Sequence, residues 1–134
     1  MKIVLFILVT NITVLVGQTP VIDWQKSYGG SESDIATSIV KLPNGEYVIC
    51  GFSESDDGDV VNHHGFSGGS DFWIYKIDSL GTIIWSNCLG GTLGEEAYSL
   101  SNTYDGGFLV VGTTTSNDFD VSGLHGGGPF GGNE

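Results

Sequence analysis

The sequence predicts an all-β protein that contains two copies of one structural unit. Three observations support this fold class. The chain matches itself when it is aligned so that Trp24 falls on Trp85, and we term this alignment the repeat register. Short runs of β-branched and aromatic residues alternate with clusters of turn residues, which is typical of strands and their connections. No helical periodicity follows residue 17.

The internal repeat is most evident in two loops of the chain. Residues 56–65 read DDGDVVNHHG, and residues 117–126 read NDFDVSGLHG. Elsewhere the identical pairs in the repeat register include Trp24/Trp85, Gly29/Gly90, Gly30/Gly91, Ala36/Ala97, Ser38/Ser99, Gly45/Gly106, Gly51/Gly112 and Ser55/Ser116. Chance matches between glycines would not also align a tryptophan, an aliphatic strand and D-x-D-V-x-x-x-H-G. The repeat therefore indicates a unit copied whole.

Four strands are predicted in the unit, and each is bounded by turn residues. The runs ATSIVKL and EYVICGFS flank the turn PNG, and the second copy has YDGG followed by FLVVGTTT at the same place. Asn-Gly and Asp-Gly predict two-residue hairpin loops, because these residues tolerate positive φ. The runs DFWIYKID and TIIWSNCLGG supply the third and fourth strands.

A four-stranded antiparallel unit that recurs at the spacing from Trp24 to Trp85 is typical of a β-propeller blade. We therefore expect about two propeller-like blades, of which the second is incomplete. An irregular β-solenoid and a small β-sandwich are the alternatives. The predicted organisation is a first β repeat with a leading strand at residues 18–84 and a second, truncated β repeat at residues 85–134.

Residues 1–17 are predicted to be a secretory signal peptide. Lys2 precedes an apolar run that ends at Gly17, and Leu15 and Gly17 suit the −3 and −1 positions of a cleavage site that would leave Gln18 first. A membrane anchor is the alternative, although the run is barely long enough to span a bilayer. No cysteine lies near this boundary, which argues against a lipoprotein anchor. The chain is expected to be secreted or at the cell surface, without membrane insertion after cleavage.

The charge balance excludes two classes of partner. The chain has 16 acidic residues against 4 basic ones, for a net charge of −12. Binding to nucleic acid or to anionic lipid requires clustered Lys and Arg, so neither partner is expected. An acidic exported chain can attract cations, although solubility also explains such a charge.

The two cysteines, Cys50 and Cys88, leave two interpretations open. An exported protein can form a disulfide. Each cysteine, however, lies in an apolar strand-like run, where a free cysteine often serves as a small core residue. Their repeat equivalents are Val111 and Ser27, whereas a bridge essential to the fold would be expected to recur in both copies.

The repeated D-x-D loops are candidate calcium sites. Carboxylate oxygens suit a hard cation, whereas the histidine that follows each loop prefers zinc or copper. The full EF-hand pattern is absent. The alternative is structural, because Asp side chains in turns accept hydrogen bonds from nearby backbone. The candidate ligands are Asp57, Asp59, Asp118 and Asp120.

No catalytic residues are predicted. The sequence lacks G-x-S-x-G, and its cysteines have no nearby histidine motif. Glu95 and Glu96 are adjacent, so on a strand their side chains would point to opposite faces. The pair His63-His64 would need further ligands to hold zinc.

Two further residue types have structural interpretations. The Gly-Gly doublets do not precede a helix, so they are expected to turn the chain between units rather than to bind phosphate. The tryptophans Trp24, Trp73 and Trp85 could stack on sugars, but a tryptophan repeated in register predicts a core position.

Several stretches together resemble the tandem repeats of large secreted bacterial proteins. These stretches are Trp24 to Ser31, Asp34 to Ile39, Asn44 to Gly51, Asp57 to Val60 and Asp71 to Asp78. The resemblance covers nearly all of the chain after residue 17. It implies a β-propeller fold and, often, a C-terminal sorting domain for type IX secretion. No sorting domain is present here and fewer than two full units are found, so the sequence is expected to be a fragment of a longer protein.

The function expected from these observations is binding or scaffolding at or outside the cell surface, without enzymatic activity. The partner would be an extracellular protein or a glycan, and the open edge strands could also support self-association. Two other classes remain as alternatives: a non-catalytic part of a secreted hydrolase, and a calcium-dependent adhesion module.

Overall fold

The computed structural model describes residues 21–65 and 68–123. The predicted signal peptide and His125 lie outside these ranges. The described residues form six strands: β1 (Asp34–Lys41), β2 (Tyr47–Ser53), β3 (Asp71–Ile77), β4 (Ile83–Leu89), β5 (Glu95–Asn102) and β6 (Phe108–Thr114). No helix occurs within them, hence none that is long and apolar enough to cross a membrane. The all-β prediction is confirmed.

The strands form two sheets that do not close on themselves. The first is antiparallel, with the order β1-β2-β3-β4, and the second is the antiparallel pair β5-β6. The four strands predicted for one unit are therefore present in the first sheet. β4 extends across the boundary predicted between residues 84 and 85, because the strand that carries Trp85 pairs with β3.

The sequence repeat is also a repeat in three dimensions. Ile39 pairs with Ile49 in the first sheet, and their equivalents Leu100 and Val110 pair in the second. The register shifts between Ala36 and Ser38, and again between Ala97 and Ser99. A bulge locally bends and twists a strand, so the two hairpins share the same irregularity.

The hairpin turns differ from the predicted two-residue loops. Gly45 N donates to Leu42 O (3.0 Å), and Leu42 N donates to Glu46 O (2.8 Å). Only the glycine adopts positive φ, at 86°, with 87° at the equivalent Gly106. A two-residue type I′ loop needs positive φ at both central residues, whereas here a tight turn is followed by one left-handed glycine.

Two apolar clusters form the core. The first lies on one face of the first sheet and contains Ile49, Val60, Trp73, Tyr75, Ile77 and Cys88, with Tyr28, Tyr47 and Ile83 at its margin. The second joins the two sheets and contains Val48, Cys50, Ile74, Ala97 and Leu100. The chain therefore has one core within the first unit and one core between units.

Hydrogen bonds reinforce the contact between the units. Thr37 Oγ1 donates to Ala97 O (2.7 Å), and Glu95 N donates to Ser70 O (2.6 Å). Val48, which faces the second sheet, is fully buried, whereas its repeat equivalent Leu109 is 56% exposed. The first sheet thus covers one face of the second, and the opposite face of the second sheet remains exposed.

Candidate functional site

A set of side-chain acceptors connects the glycine-doublet loop of each unit to its D-x-D loop and to the start of the strand that follows the doublet, β1 or β5; we term it the loop clasp. Its acceptors occur at equivalent places in both units, and its donors are backbone N–H groups. In the first unit the clasp consists of Ser31 N to Asp57 Oδ1 (2.7 Å), Glu32 N to Ser55 Oγ (2.9 Å) and Gly30 N to Asp34 Oδ2 (2.8 Å).

The second unit repeats these contacts. They are Thr92 N to Asp118 Oδ1 (2.9 Å), Leu93 N to Ser116 Oγ (2.9 Å) and Gly91 N to Glu95 Oε2 (2.8 Å). The backbone hydrogen bonds donated by the second aspartate of each D-x-D loop are also equivalent in the two units. Asp59 N donates to Gly29 O (3.0 Å), and Asp120 N donates to Gly90 O (3.1 Å). The motif D-x-D-V is therefore part of a structural device that occurs twice.

The glycine doublets allow this close approach. A Cβ at Gly30 would collide with Asp57 Oδ1, and a Cβ at Gly91 would collide with Asp118 Oδ1. Any side chain at these positions would thus push the carboxylate away from the backbone donors. The structure thus gives a steric reason for the second glycine of each doublet.

One clasp acceptor, Glu95, is a fully buried carboxylate that the sequence did not single out as a ligand or a clasp residue. It is 1% exposed, and Thr114 Oγ1 donates to its Oε1 (2.8 Å) while Gly91 N donates to its Oε2. Burial acts to raise the pKa of Glu95, but the hydrogen bonds from Gly91 and from residues 114–116 outweigh it and hold the pKa below the ordinary value of 4.5. The signal that could have revealed this role is the conservative pair Asp34/Glu95 in the repeat.

The four predicted calcium ligands do not share one environment. Asp57 and Asp118 each accept a backbone N–H across the clasp, and Asp59 Oδ2 accepts Gly29 N (3.2 Å). These hydrogen bonds agree with the structural interpretation of the aspartates. Their donors, however, belong to the preceding glycine-doublet loop and not to the aspartate's own turn. Residues 21–65 and 68–123 contain no group of three or more His, Cys, Asp or Glu side chains placed to hold a metal ion. The calcium site stays a prediction.

Calcium binding can be tested by thermal unfolding. A ligand that binds only the folded state must raise its stability. Because the clasp carboxylates already accept backbone donors, we expect the same melting temperature in excess calcium and in EDTA. A calcium-dependent rise that Asp57→Asn or Asp118→Asn abolishes would contradict this expectation and support the calcium prediction.

His64 lies between two carboxylates, one from each unit. Its backbone N donates to Asp71 Oδ2 (2.7 Å), and its Nδ1 is 3.0 Å from the same oxygen. Its Nε2 is 3.9 Å from Asp120 Oδ2, and its ring lies 5.0 Å from that of Phe119. The neighbouring His63 contacts Gly69 O through Nε2 (3.0 Å). The two histidines therefore have different protein partners.

Asp71 is fully buried, and its second oxygen, Oδ1, lacks a hydrogen-bond partner among the described residues. Burial raises the pKa of Asp71 above the ordinary value of 3.8, against the lowering effect of the hydrogen bonds from His64. A raised folded-state pKa means that the ionised carboxylate costs stability. This cost is absent below the ordinary pKa and grows as the pH rises through the folded-state value.

Replacement of Asp71 by asparagine is expected to stabilise the fold at pH 7. The amide oxygen can still accept from His64, and the substitution removes the buried charge whose cost is evident in the raised pKa of Asp71. By urea unfolding we expect a higher free energy of unfolding than that of the parent at pH 7, and a gain that shrinks toward pH 4. Asp56→Asn, at an exposed loop position, is the control and should change little. A loss of stability at pH 7 would show that Asp71 Oδ1 has an important acceptor role.

The two cysteines are both buried and unbridged. Burial, followed by the nearby carboxylates Asp71 and Asp34, raises the pKa of Cys88 to about 12. Burial also raises the pKa of Cys50, against the lowering effect of a side-chain hydrogen bond from Thr37. These are the properties of inert core thiols, so the interpretation as small core residues is the one that the structure supports.

Thiol labelling checks this assignment. We expect neither cysteine to react with a thiol reagent in the native protein, because both are buried and held as thiols at neutral pH. In denaturant without reductant, both cysteines of each chain should react. Labelling that requires reductant even in denaturant would instead indicate a disulfide.

The tryptophans do not share the predicted core position. Trp73 is buried, at 1% exposed, and its Nε1 donates to Ser86 Oγ (2.8 Å). The repeated pair Trp24 and Trp85 is 41% and 37% exposed. The core prediction is therefore wrong for the repeated pair, since these side chains lie at the margins of apolar depressions rather than inside a sheet.

One such depression, which we term the β6 groove, lies between β4 and β6 and has a volume of about 860 Å³. Aromatic and aliphatic side chains dominate its lining, among them Phe72, Ile74, Trp85, Leu89, Phe108 and Val110. In the described residues β6 pairs with β5 alone, whereas the equivalent β2 pairs on both sides. The groove therefore runs beside an open strand edge.

Comparisons with known proteins give no relative for this chain. No family model matches it, and neither a curated protein nor a solved structure is significantly similar to it.

Proposed function

We propose that this chain is an exported, non-enzymatic module that binds or scaffolds other molecules at or outside the cell surface. The observation that carries the proposal is the β6 groove, in which apolar side chains and an open strand edge lie side by side. Concave apolar surfaces with a few polar groups are the usual form of binding sites. The predicted leader and the net charge of −12 are consistent with an exported protein that does not bind nucleic acid.

The proposal includes a propeller-type arrangement of the units. Its support is the recurrence of strand register, bulge and loop clasp from the first unit to the second, together with an apolar core between consecutive sheets. Repeats of this kind bury a continuous core by stacking on their neighbours.

Export is tested first, by expressing the chain with a C-terminal tag in a bacterium and measuring the mass of the product outside the cytoplasm. We expect a product that begins at Gln18, because cleavage after Gly17 follows from the leader pattern. Retention of the uncleaved chain in the membrane fraction would support an anchor, and an uncleaved cytoplasmic product would overturn the exported location.

Binding is tested with the purified protein on extracellular glycans and on cell-envelope proteins. Retention on one of these classes that excess untagged protein abolishes would support the proposal, and absence of retention on both would overturn it. The same preparation is assayed for release of reducing sugar from the glycans. Hydrolysis that co-purifies with the chain would favour the alternative class, a secreted hydrolase.

A further inference from the structure

We infer that the β6 groove is a docking site for one extended strand of the β3 type, which pairs with the open edge of β6 and inserts alternate aromatic and aliphatic side chains into the groove. The inference rests on the proposed binding function and names the chemistry of the occupant. That occupant is an extended polypeptide strand with the pattern Trp-x-Tyr-x-Ile.

The first unit provides the template. There β2 carries β3 on the edge that is open in β6, and Gly51, Ile49 and Tyr47 pair with Trp73, Tyr75 and Ile77, respectively. These three β3 side chains are 1%, 5% and 3% exposed. β3 thus presents Trp-x-Tyr-x-Ile to the first core cluster.

The surroundings of β3 recur around the groove. Four residues that pack with the β3 side chains are Tyr28, Tyr47, Ile49 and Val60. Their equivalents in the repeat register are Leu89, Phe108, Val110 and Val121, and all four line the β6 groove. Every one of these contact positions is thus apolar in both units.

The exposure of the groove residues indicates that no β3-type strand covers them within the described residues. Ile49 and Val60 are 5% and 3% exposed, whereas Val110 and Val121 are only partly buried. Leu89 is 38% exposed, whereas its equivalent Tyr28 is partly buried. The ring of Tyr28 lies 5.4 Å from that of Tyr75, which belongs to β3. The difference is the one expected if a β3-type strand covers the first set and leaves the second open.

The repeat also fixes the register of the docked strand. Transfer of the β2–β3 pairing to the second unit, in the repeat register, places Gly112, Val110 and Phe108 opposite the Trp, Tyr and Ile of the incoming strand. Main-chain hydrogen bonds to an open edge provide affinity, and pockets for alternate side chains provide specificity. The opposite face of the strand would point away from the groove, because side chains alternate between the faces of a strand.

The test uses the purified protein and two labelled peptides that correspond to residues 70–79. The first carries Phe72→Ser and Ile74→Thr, which leaves the Trp-x-Tyr-x-Ile face intact. The second carries Trp73→Ser, Tyr75→Ser and Ile77→Ser, which removes that face and retains Phe72 and Ile74. By fluorescence anisotropy we expect the first peptide to bind and the second to bind at least about tenfold more weakly, since buried aromatic anchors dominate such interfaces.

Variants of the protein locate the binding. Leu89→Asp places a charge in the groove and should weaken binding of the first peptide by at least about tenfold. Leu80→Asp is the matched control, because Leu80 is 76% exposed in the β3–β4 turn, and it should bind as the parent does. Hydrogen exchange should show new protection of residues 108–114 on binding, with no change at residues 34–41.

Equal binding of the two peptides, or full binding by the Leu89→Asp variant, would overturn the inference. So would failure of the first peptide to bind because residues 124–134 or a second copy of the chain already fill the groove. Each of these results leaves the broader binding function open to its own test, since retention on glycans or envelope proteins does not depend on the peptide. Absence of that retention together with specific peptide binding would instead overturn the cell-surface role and support the docking site.

Discussion

Replacement of Trp73 by alanine is expected to lower the free energy of unfolding by about 3–5 kcal/mol, as is usual when a large buried aromatic side chain is truncated. Trp73 is 1% exposed, stacks on Tyr75 at a centroid distance of 4.2 Å, and donates from Nε1 to Ser86. The substitution leaves a cavity in the first core cluster and Ser86 Oγ without its donor. Chemical denaturation followed by circular dichroism measures the effect.

Two further variants keep this prediction testable. Domains of this size have only about 5–15 kcal/mol of stability, so the alanine variant could unfold altogether, and Trp73→Phe should then show an intermediate loss. Trp85→Ala is the control, because a side chain that is 37% exposed should cost about 1 kcal/mol. Equal losses for Trp73→Ala and Trp85→Ala would mean that the core does not centre on Trp73.

Replacement of Glu95 by alanine should cost about 3 kcal/mol or more, since each buried donor left without an acceptor costs about 1–3 kcal/mol. Gly91 N and Thr114 Oγ1 each lie 2.8 Å from the carboxylate, and both would lose their acceptor. Glu96→Ala is the matched control. Its neighbour Tyr98 contacts Glu96 at the surface, so we expect a change within about 0.5 kcal/mol.

The pH dependence of stability gives a second measure of Glu95. Because its folded-state pKa is depressed, its stabilising contribution is complete above the ordinary value of 4.5 and is lost as the pH falls through the folded-state value. Acid unfolding of the parent should therefore begin below about pH 4.5, and Glu95→Gln should flatten this part of the curve. An unchanged acid limb would show that other carboxylates control acid unfolding.

The strands and the repeat could be predicted from the sequence, because both depend on local signals. Alternation of apolar residues in β2 and β3 and the glycine at each hairpin are read directly from the chain. The loop clasp was only partly predictable. The D-x-D spacing identified Asp57 and Asp118 as important, but the nature of their partners depends on which distant loop packs against them.

Other features required the folded structure. The burial of Glu95 and Asp71 results from the packing of two sheets, and single-sequence patterns carry no information on which carboxylates such packing encloses. The exposure of Trp24 and Trp85 has a similar cause, since a residue that recurs in register identifies an equivalent position without indicating whether that position is covered. The β6 groove also depends on the fold, because it lies beside an edge of β6 whose equivalent in β2 is covered by β3.

The contact between the two sheets also has a consequence for the order of folding. An isolated two-stranded hairpin is marginally stable at best in water, so β5 and β6 depend on the surface that the first sheet offers through Ile74 and the bond from Thr37 to Ala97. The second sheet is therefore expected to form only where the first sheet is already in place, whereas the first sheet has an apolar cluster of its own.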